Sequence, residues 1–154
     1  MSWEIRPYQP KDQEAVQRLH WAGLNQFNAR LEGPDLDQDL ENIEKIYINN
    51  NGDFIVGLMD NRVVCMGALR KFTETVAEIK RIRVDQEFQR KGLGQKILSA
   101  LEKSAKEKGY RKLRLDTTSK QRPAQILFER NGYQVTVRKR WDDLEIIFYE
   151  KELE

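Results

Sequence analysis

The chain contains little of the residue types that stabilise many secreted proteins and metalloproteins. Its single cysteine, Cys65, cannot form a disulfide within the chain, which leaves secretion without support. Its single histidine, His20, excludes a histidine-based metal cluster, and Cys65 adds too few ligands to hold zinc. We therefore expect no metal site.

Long apolar segments and a strong charge of one sign are also missing. No stretch approaches the roughly 20 apolar residues that a membrane-spanning helix needs. The first residues, MSWEIRPYQPKDQEAV, lack the apolar centre of a signal peptide. A net charge of +2 is too small an excess to predict a nucleic-acid-binding protein. We expect a cytoplasmic protein with neither a membrane nor a nucleic-acid partner, folded as one domain over residues 1–154.

Hydrophobic periodicity divides the chain into strand-like and helix-like segments. The predicted order is a strand, two helices, three strands, a helix, a strand, a helix and two strands. This order is typical of one α/β domain of mixed (α+β) type with about seven strands and four helices. In the first half of the chain we predict a strand at Ile5–Tyr8, helices after Asp12 and from Asp35 to about Ile46, and a hairpin turn at Asp60-Asn61. A helix from about Gly92 to Lys108 follows, and its predicted inner face consists of Leu93, Ile97, Ala100, Leu101 and Ser104. The last elements are a strand KLRLDTT, a helix AQILFER and a hairpin turn at Trp141-Asp142-Asp143.

The strand predicted for the sequence VAEIKRIRV has one irregularity in its alternation. Ala77 and Ile79 lie two positions apart. Ile82 and Val84 do so as well, but the step from Ile79 to Ile82 is three. One extra residue near Lys80-Arg81 would bring all four apolar residues onto one face, which is the effect of a β-bulge.

The next segment, FQRKGLGQKIL at residues 88–98, combines glycines with basic residues where a helix is predicted to begin. The first backbone N–H groups of a helix have no partner within the helix, and the helix dipole makes this end partly positive. Gly92 and Gly94 would let an anion approach this backbone closely, and Arg90 and Lys91 add full charges. The pattern suits a phosphate or pyrophosphate, although a solvated basic helix start explains the same residues.

Two common nucleotide-binding patterns do not fit this segment. The Walker A pattern needs two glycines five apart followed by Lys and Ser or Thr, and these are absent. The Rossmann fingerprint needs three glycines near the first strand and an acidic residue about 20 positions further on. A nucleic-acid-binding module, suggested by the basic cluster at 80–91, lacks an aromatic stacking platform among those charges.

The pattern Gln-x-x-Gly-x-Gly at 89–94 resembles the acyl-CoA-binding signature of the GNAT N-acetyltransferase family. The similarity continues in register through AEIKRIRVDQEFQRKGLGQKIL. Weaker pieces, IRPYQPKD and PAQILFERNGYQ, follow in the family's order, so the resemblance covers nearly the whole chain. It implies a GNAT-like domain with a mixed, mostly antiparallel sheet, in which a bulged central strand is splayed from the next strand. It also implies acetyl-CoA as the cosubstrate and a primary amine, on a small molecule or a protein, as the acceptor.

The resemblance assigns the contacts to acetyl-CoA to the bulged strand and the loop after it. The pantetheine arm would run along Ile82, Arg83 and Val84. The pyrophosphate would be bound by the backbone amides of Gln89, Arg90, Lys91, Gly92, Leu93 and Gly94, and of Gln95 just beyond. Gln121 and Phe128 stand where the family often has an asparagine and usually has a tyrosine.

Acetyl transfer needs a neutral amine, so a carboxylate can serve as the base, directly or through water. Glu78 is the candidate general base, with Glu74 as an alternative. Glu78 could equally be a structural carboxylate paired with a nearby lysine or arginine. The family's tyrosine donates a proton to the leaving thiolate, which Phe128 cannot do, whereas Gln121 keeps a side-chain amide. Water or another tyrosine could donate this proton, or the thiolate could leave unaided.

The principal prediction is therefore an N-acetyltransferase that works by direct attack of the amine in a ternary complex. The alternative, motivated by Phe128, is an acyl-CoA-binding regulatory protein with a degenerate active site. His20 is expected to be a partly exposed helix residue, and Cys65 a small buried one. The sequence identifies neither the acceptor nor the oligomeric state, monomer or homodimer.

Overall fold

One seven-stranded sheet organises the protein in a computed structural model that describes residues 2–26 and 38–154. The strand order is β1-β2-β3-β4-β5-β7-β6, and neighbouring strands are antiparallel except for the parallel pair β4–β5. The mixed, mostly antiparallel sheet predicted from the sequence is thus confirmed. The strands are β1 (Trp3–Pro7), β2 (Asp53–Met59), β3 (Arg62–Lys71), β4 (Val76–Val84), β5 (Lys112–Thr118), β6 (Gln134–Trp141) and β7 (Leu144–Glu152).

Four α-helices accompany the sheet within the described residues, as predicted. They are α1 (Gln13–Gln26), α2 (Ile43–Ile46), α3 (Leu93–Glu107) and α4 (Arg122–Arg130). The prediction of one helix from Asp35 to about Ile46 is wrong in its described part, and residues 35–37 lie outside that part. A 3-10 helix over Gln38–Glu41 is followed by α2, because Asn42 between them has non-helical backbone angles, φ −136° and ψ 43°.

The two faces of the sheet have separate hydrophobic cores. One core joins α3 and α4 to β3, β4, β5 and β7, and the other joins α1 and the α2 region to β2 and β3. On α3, Leu93, Ile97 and Leu101 are buried as predicted. The rest of its buried stripe is Leu98 and Ala105 instead of Ala100 and Ser104, because the sheet covers a wider face of the helix than expected.

The predicted turns are also present. Asp60 and Asn61 both have positive φ, 51° and 69°, which is the backbone of a type I′ hairpin turn between β2 and β3. β1 forms one edge of the sheet, as expected for a short strand followed closely by Pro10. Within the described residues no helix is long and apolar enough to cross a membrane.

Candidate functional site

A V-shaped opening lies between β4 and β5 in the middle of the sheet. The two strands pair only at their beginnings, where Val76 is opposite Lys112, Ala77 opposite Leu113 and Glu78 opposite Arg114. Beyond these pairs β4 continues to Val84 and β5 to Thr118 without further pairing to each other. The central strands are therefore splayed, as the resemblance implied.

A β-bulge in β4 accompanies this divergence. Met66 of β3 pairs with Arg83, and Ala68 pairs with Lys80, so two residues of β4 oppose one residue of β3. Arg81 has φ +61°, a left-handed backbone conformation that is uncommon outside glycine. The extra residue predicted near Lys80-Arg81 is confirmed. A bulge of this kind bends its strand and increases the local twist, which favours separation from β5.

The side chain of the bulge residue Arg81 is anchored by a buried acid. Its Nε donates to Asp39 Oδ2 at 2.9 Å and its Nη2 to Asp39 Oδ1 at 2.5 Å, and Tyr47 also donates to Asp39. Burial would raise the pKa of Asp39, but the hydrogen bonds and charge of Arg81 outweigh it and hold that pKa below its usual range. The same burial, together with Asp39, raises the pKa of the Tyr47 hydroxyl. This network ties the 38–47 segment to the bulge.

The loop after β4 presents its backbone at the start of α3. Arg90 has φ +63°, and Gly92, which precedes the helix, has φ +81°. Within residues 2–26 and 38–154 the backbone N–H groups of residues 90–95 donate no hydrogen bond. A Cβ built on Gly92 would meet nothing within 4 Å, so the space above this turn is open. Unpaired amides, the helix dipole and open space together can accept an anion.

The other predicted cofactor residues surround this loop. The Ile82 carbonyl accepts from Arg83 Nη1 at 2.9 Å, and the Val84 carbonyl accepts from Gln89 Nε2 at 3.0 Å. Lys91 is exposed, with Nζ 5.6 Å from the ring centroid of Phe88. Leu93 is buried in the core and Gly94 is half-buried, so these two face the loop with backbone only.

Gln95 connects the loop to α4. Its Nε2 donates to Asn131 Oδ1 at 2.9 Å, and Asn131 Nδ2 donates back to Gln95 Oε1 at 2.8 Å. Asn131 also donates to the Leu127 carbonyl at the end of α4, at 2.8 Å. This reciprocal amide pair fixes the end of α4 against the first turn of α3, a contact that the sequence analysis did not predict.

Glu78 lies at the point where β4 and β5 diverge. Its side chain is 14% exposed, and its Oε2 is 3.5 Å from Arg114 Nε. The ion pair fits the structural role considered for Glu78, while the position at the opening fits the catalytic one. Glu74 forms a surface ion pair with Lys71 at 2.7 Å and its side chain is 87% exposed. Of the two candidate bases, only Glu78 lies at the opening.

Phe128 and Gln121 occupy opposite ends of α4. Phe128 is buried and packs on Tyr133 and Tyr149, with ring centroids 5.8 and 6.0 Å away. Gln121 Oε1 accepts from Thr117 Oγ1 at 3.0 Å and Thr118 Oγ1 at 3.2 Å. The amide of Gln121 thus orders the end of β5, and Phe128 belongs to the aromatic part of the core.

The five tyrosines were open alternatives for the missing proton donor, and each hydroxyl donates to another protein group. The acceptors are Gln13 Oε1 for Tyr8, Asp39 Oδ2 for Tyr47, the Asn51 carbonyl for Tyr110, Glu102 Oε2 for Tyr133 and Glu129 Oε2 for Tyr149. Burial, the hydrogen bond and the charge of Glu129 raise the pKa of Tyr149 to about 12. None of these hydroxyls is therefore ready to donate to a thiolate as the protein stands.

The prediction for the single histidine is wrong, and the prediction for the single cysteine is confirmed. His20 is fully buried, so the expectation of a partly exposed helix residue is wrong. Val16, Leu19 and His20 follow the i, i+3, i+4 spacing of one helix face, which is the signal that could have placed it inside. Cys65 is fully buried as expected, and burial raises the pKa of its thiol to about 12, which makes it a poor nucleophile.

Comparison with known proteins identifies the class. The sequence profile of the Acetyltransferase (GNAT) family matches residues 14–133. Because this match spans well over half of the chain, the protein belongs to the GNAT acetyltransferase family. The match contains the bulge, the opening and the loop at the start of α3 described above.

Curated relatives agree with this assignment. The chain is 29% identical over 117 residues to a Xenopus tropicalis protein named "Probable N-acetyltransferase camello", covering 74% of this chain and 53% of that protein. It is 30% identical over 105 residues to "Probable N-acetyltransferase 14" of the same organism, covering 67% and 51%. The chain thus spans about half the length of these relatives.

Solved structures share the fold over the whole chain. A GNAT-family acetyltransferase from Staphylococcus aureus Mu50 superimposes with a TM-score of 0.90 at 24% identity, covering 99% of this chain and 100% of that one. The yncA protein of Salmonella typhimurium, solved with acetyl-CoA, gives a TM-score of 0.81 at 20% identity, covering 100% and 95%. These likenesses show that the fold is the GNAT fold.

Proposed function

We propose that the protein is an N-acetyltransferase that transfers an acetyl group from acetyl-CoA to a primary amine within a ternary complex. The observation that carries this proposal is that one short segment connects an opening in the sheet to a turn whose backbone amides are unpaired within the described residues. The opening between β4 and β5 and the amide-rich turn before α3 are joined by residues 84–92. Membership of the family and the acetyl-CoA found with the yncA protein support it.

The residues present fit acetyl-CoA. The amides of residues 90–95, with the charges of Arg90 and Lys91, would bind the pyrophosphate, since the described residues leave those N–H groups unpaired. The part of β4 at Ile82 and Val84, which does not pair with β5, would lie beside the pantetheine arm. The side chains of Arg83 and Gln89 now donate to the carbonyls of Ile82 and Val84, and they would move away so that the arm can bind there. Acetyl-CoA supplies the activated acyl group, and the protein supplies the position of the amine and the removal of its proton.

Glu78 is the proposed base, acting directly or through a water. It stands at the divergence of β4 and β5, where an amine entering the opening would meet a carboxylate. Holding the two reactants together in this opening would provide much of the rate acceleration. Since each tyrosine hydroxyl already has an acceptor, we infer that the leaving thiolate is protonated by water or leaves as the anion.

A second function is favoured by Phe128. A buried phenyl ring at the family's tyrosine position supports a protein that binds acyl-CoA as a regulatory signal and transfers the acyl group poorly. Both functions require acyl-CoA binding, and only the first requires an acceptor. A cytoplasmic location and a monomeric or homodimeric state stay predictions.

Two measurements on the whole protein test these alternatives. Calorimetric titration with CoA is expected to show saturable binding, and absence of binding would contradict both functions. Thiol release from acetyl-CoA is then measured across a panel of amino acids, amino acid amides, polyamines and peptides. An enzyme gives release well above the hydrolysis rate with at least one amine, whereas the regulatory protein binds CoA but gives none.

A further inference from the structure

The face of the sheet that α3 and α4 do not cover carries a cluster of aromatic rings and cations. Arg114 lies between Leu113 and Leu115, which belong to the α3–α4 core, so its side chain points to the opposite face. Arg114 Cζ is 4.1 Å from the ring centroid of Phe72 and 5.8 Å from that of Phe148. We call this side of β4, β5, β7 and β6 the acceptor face.

The guanidinium of Arg114 faces one carboxylate and leaves most of its N–H groups without a polar partner among the described residues. Its Nε faces Glu78 at 3.5 Å, and its side chain keeps 24% of its surface exposed. Within the described residues its two Nη groups donate no hydrogen bond. The rings of Phe72 and Phe148 restrict its orientation by cation–π contact. An oriented guanidinium with two open N–H groups is suited to bind a carboxylate in bidentate fashion.

The charge of the acceptor face is also favourable to an anion. Among the described residues, its cations include Lys80, Arg83, Lys112, Arg114 and Lys139, with Arg70 beside it on β3, and its carboxylates include Glu78, Asp116, Glu150 and Glu152. Lys112 pairs with Glu150 at 3.3 Å and with Glu152 at 3.6 Å. Lys139 lies on the far side of this cluster, with Nζ 5.4 Å from the Phe148 ring centroid. Among these described groups positive charge exceeds negative charge, while Glu78 beside Arg114 provides one negative group.

We propose, building on the function proposed above, that the acceptor is an amino acid or a similar small amine that carries a carboxylate. Arg114 binds the carboxylate and Glu78 faces the amino group. The two side chains stand opposite each other in the last pair of residues that joins β4 to β5, so the zwitterion lies at the start of the opening. Binding through Arg114 therefore brings the amine toward the place where a thioester would lie. A polyamine would meet the same Arg114 as a repulsive charge.

The test compares each amino acid with its carboxamide, which keeps the amine and loses the carboxylate. For the wild type we expect kcat/KM for the acid to exceed that for the amide by at least tenfold. Arg114→Gln should raise KM for the acid more than for the amide, so that the ratio of the two kcat/KM values falls toward one, whatever loss of kcat both substrates share because Arg114 pairs with Glu78. Arg111→Gln is the matched control, because Arg111 lies just before β5 with an exposed side chain. It should keep the full preference.

Binding provides a readout that does not depend on turnover. N-acetyl amino acids, the products, are titrated into CoA-saturated wild-type protein beside their amides, and the acid is expected to bind at least tenfold more tightly. Arg114→Lys keeps the charge but lacks the planar fork, so it should reduce a tenfold preference for the acid to about threefold. This variant keeps the proposal testable if Arg114→Gln fails to fold.

The outcomes separate this proposal from the one on which it rests. Equal efficiency with acids and amides, or a preference for polyamines, together with strong thiol release, overturns the carboxylate site and leaves the acetyltransferase function intact. Absence of thiol release with every amine overturns both. A preference for acids that Arg114→Gln leaves unchanged also overturns the site.

Discussion

The two sides of the opening between β4 and β5 are built in different ways. The side proposed to bind acyl-CoA, here called the acyl-carrier side, is one continuous segment, residues 82–95, which offers mainly backbone groups at a strand edge and a helix start. The side proposed to bind the amine, here called the acceptor side, is assembled from side chains of separate elements, among them Asp39, Glu78, Arg114 and Phe148. Backbone geometry is set by local sequence, whereas the meeting of distant side chains depends on the order of strands in the sheet. The two sides should therefore respond differently to substitution.

The largest effect is expected at the buried ion pair that supports the acceptor side. Asp39→Asn leaves the Arg81 guanidinium without its anion, and loss of one partner of a buried pair costs about 3–5 kcal/mol of the free energy of unfolding. Urea unfolding at pH 7 measures this. Because Arg81 holds the pKa of Asp39 below its usual range, the stabilisation is complete above about pH 4. It is lost as the pH falls through the lower folded pKa, so the difference between wild type and variant should shrink there.

Asp143→Asn is the matched control for this change. Asp143 pairs with Lys120 at 3.6 Å and its side chain is 78% exposed, so its loss should cost less than about 1 kcal/mol. The two sides are not independent if folded Asp39→Asn protein binds CoA more than about tenfold more weakly, a loss of about 1.4 kcal/mol of binding free energy. An unchanged CoA affinity with a raised KM for the amine shows that the sides are independent.

The next largest effect is expected for the proposed base. Glu78→Gln should lower kcat at pH 7 by about 10²-fold or more, since general-base catalysis commonly contributes 10²–10⁴-fold. Activity should recover partly as the pH rises, because a larger fraction of the amine is then neutral without help. The pH–rate profiles of wild type, Glu78→Gln and Glu74→Gln decide between the two candidate carboxylates. Parallel profiles for wild type and Glu78→Gln would remove Glu78 as the base.

Two glycines at opposite ends of α3 test the acyl-carrier side. Gly92 and Gly109 both have positive φ, 81° and 89°, and a Cβ on either meets nothing within 4 Å. Alanine at either position should therefore cost a similar 1–2 kcal/mol of stability through backbone strain. Only Gly92→Ala should also weaken CoA binding, by about tenfold, because its methyl group would take up open space beside the turn that the proposed anion occupies. Equal CoA affinity in the two variants would place the anion elsewhere.

The same contrast explains what the sequence could predict. The bulge followed from a single break in the alternation of β4, whereas the anion site, predicted from glycines and charges within eleven residues, stays a prediction. The Asp39–Arg81 pair joins residues 42 positions apart, so no local pattern indicates it. The contact of Arg114 with Phe72 and Phe148 likewise depends on β5 lying next to both β4 and β7. The predictions that the structure confirms are therefore those about backbone geometry.

Individual errors have equally specific causes. The second helix was predicted too long, because the spacing of Leu40, Ile43 and Ile46 suits a helix while the backbone at Asn42 interrupts it. His20 was expected near the surface because of its polarity, but its position in the apolar stripe of α1 decided its burial. At Asn42 the backbone departs from the pattern of its neighbours, which periodicity does not detect, whereas at His20 the periodicity was correct and the polarity of the residue was misleading.

The smallest effect is expected at Tyr149, one of the two tyrosines whose rings lie beside Phe128. Its hydroxyl donates to Glu129 at 3.0 Å, and burial and Glu129 raise its pKa to about 12. This pKa lies above the value of about 10 for an unfolded tyrosine, so the stabilisation is complete below pH 10 and is lost as the pH rises through 12. Tyr149→Phe should cost about 1 kcal/mol and change kcat less than twofold. A tenfold fall in kcat at constant KM would instead make Tyr149 the proton donor, and would mean that the acceptor side recruits a residue from the core on the opposite face of the sheet.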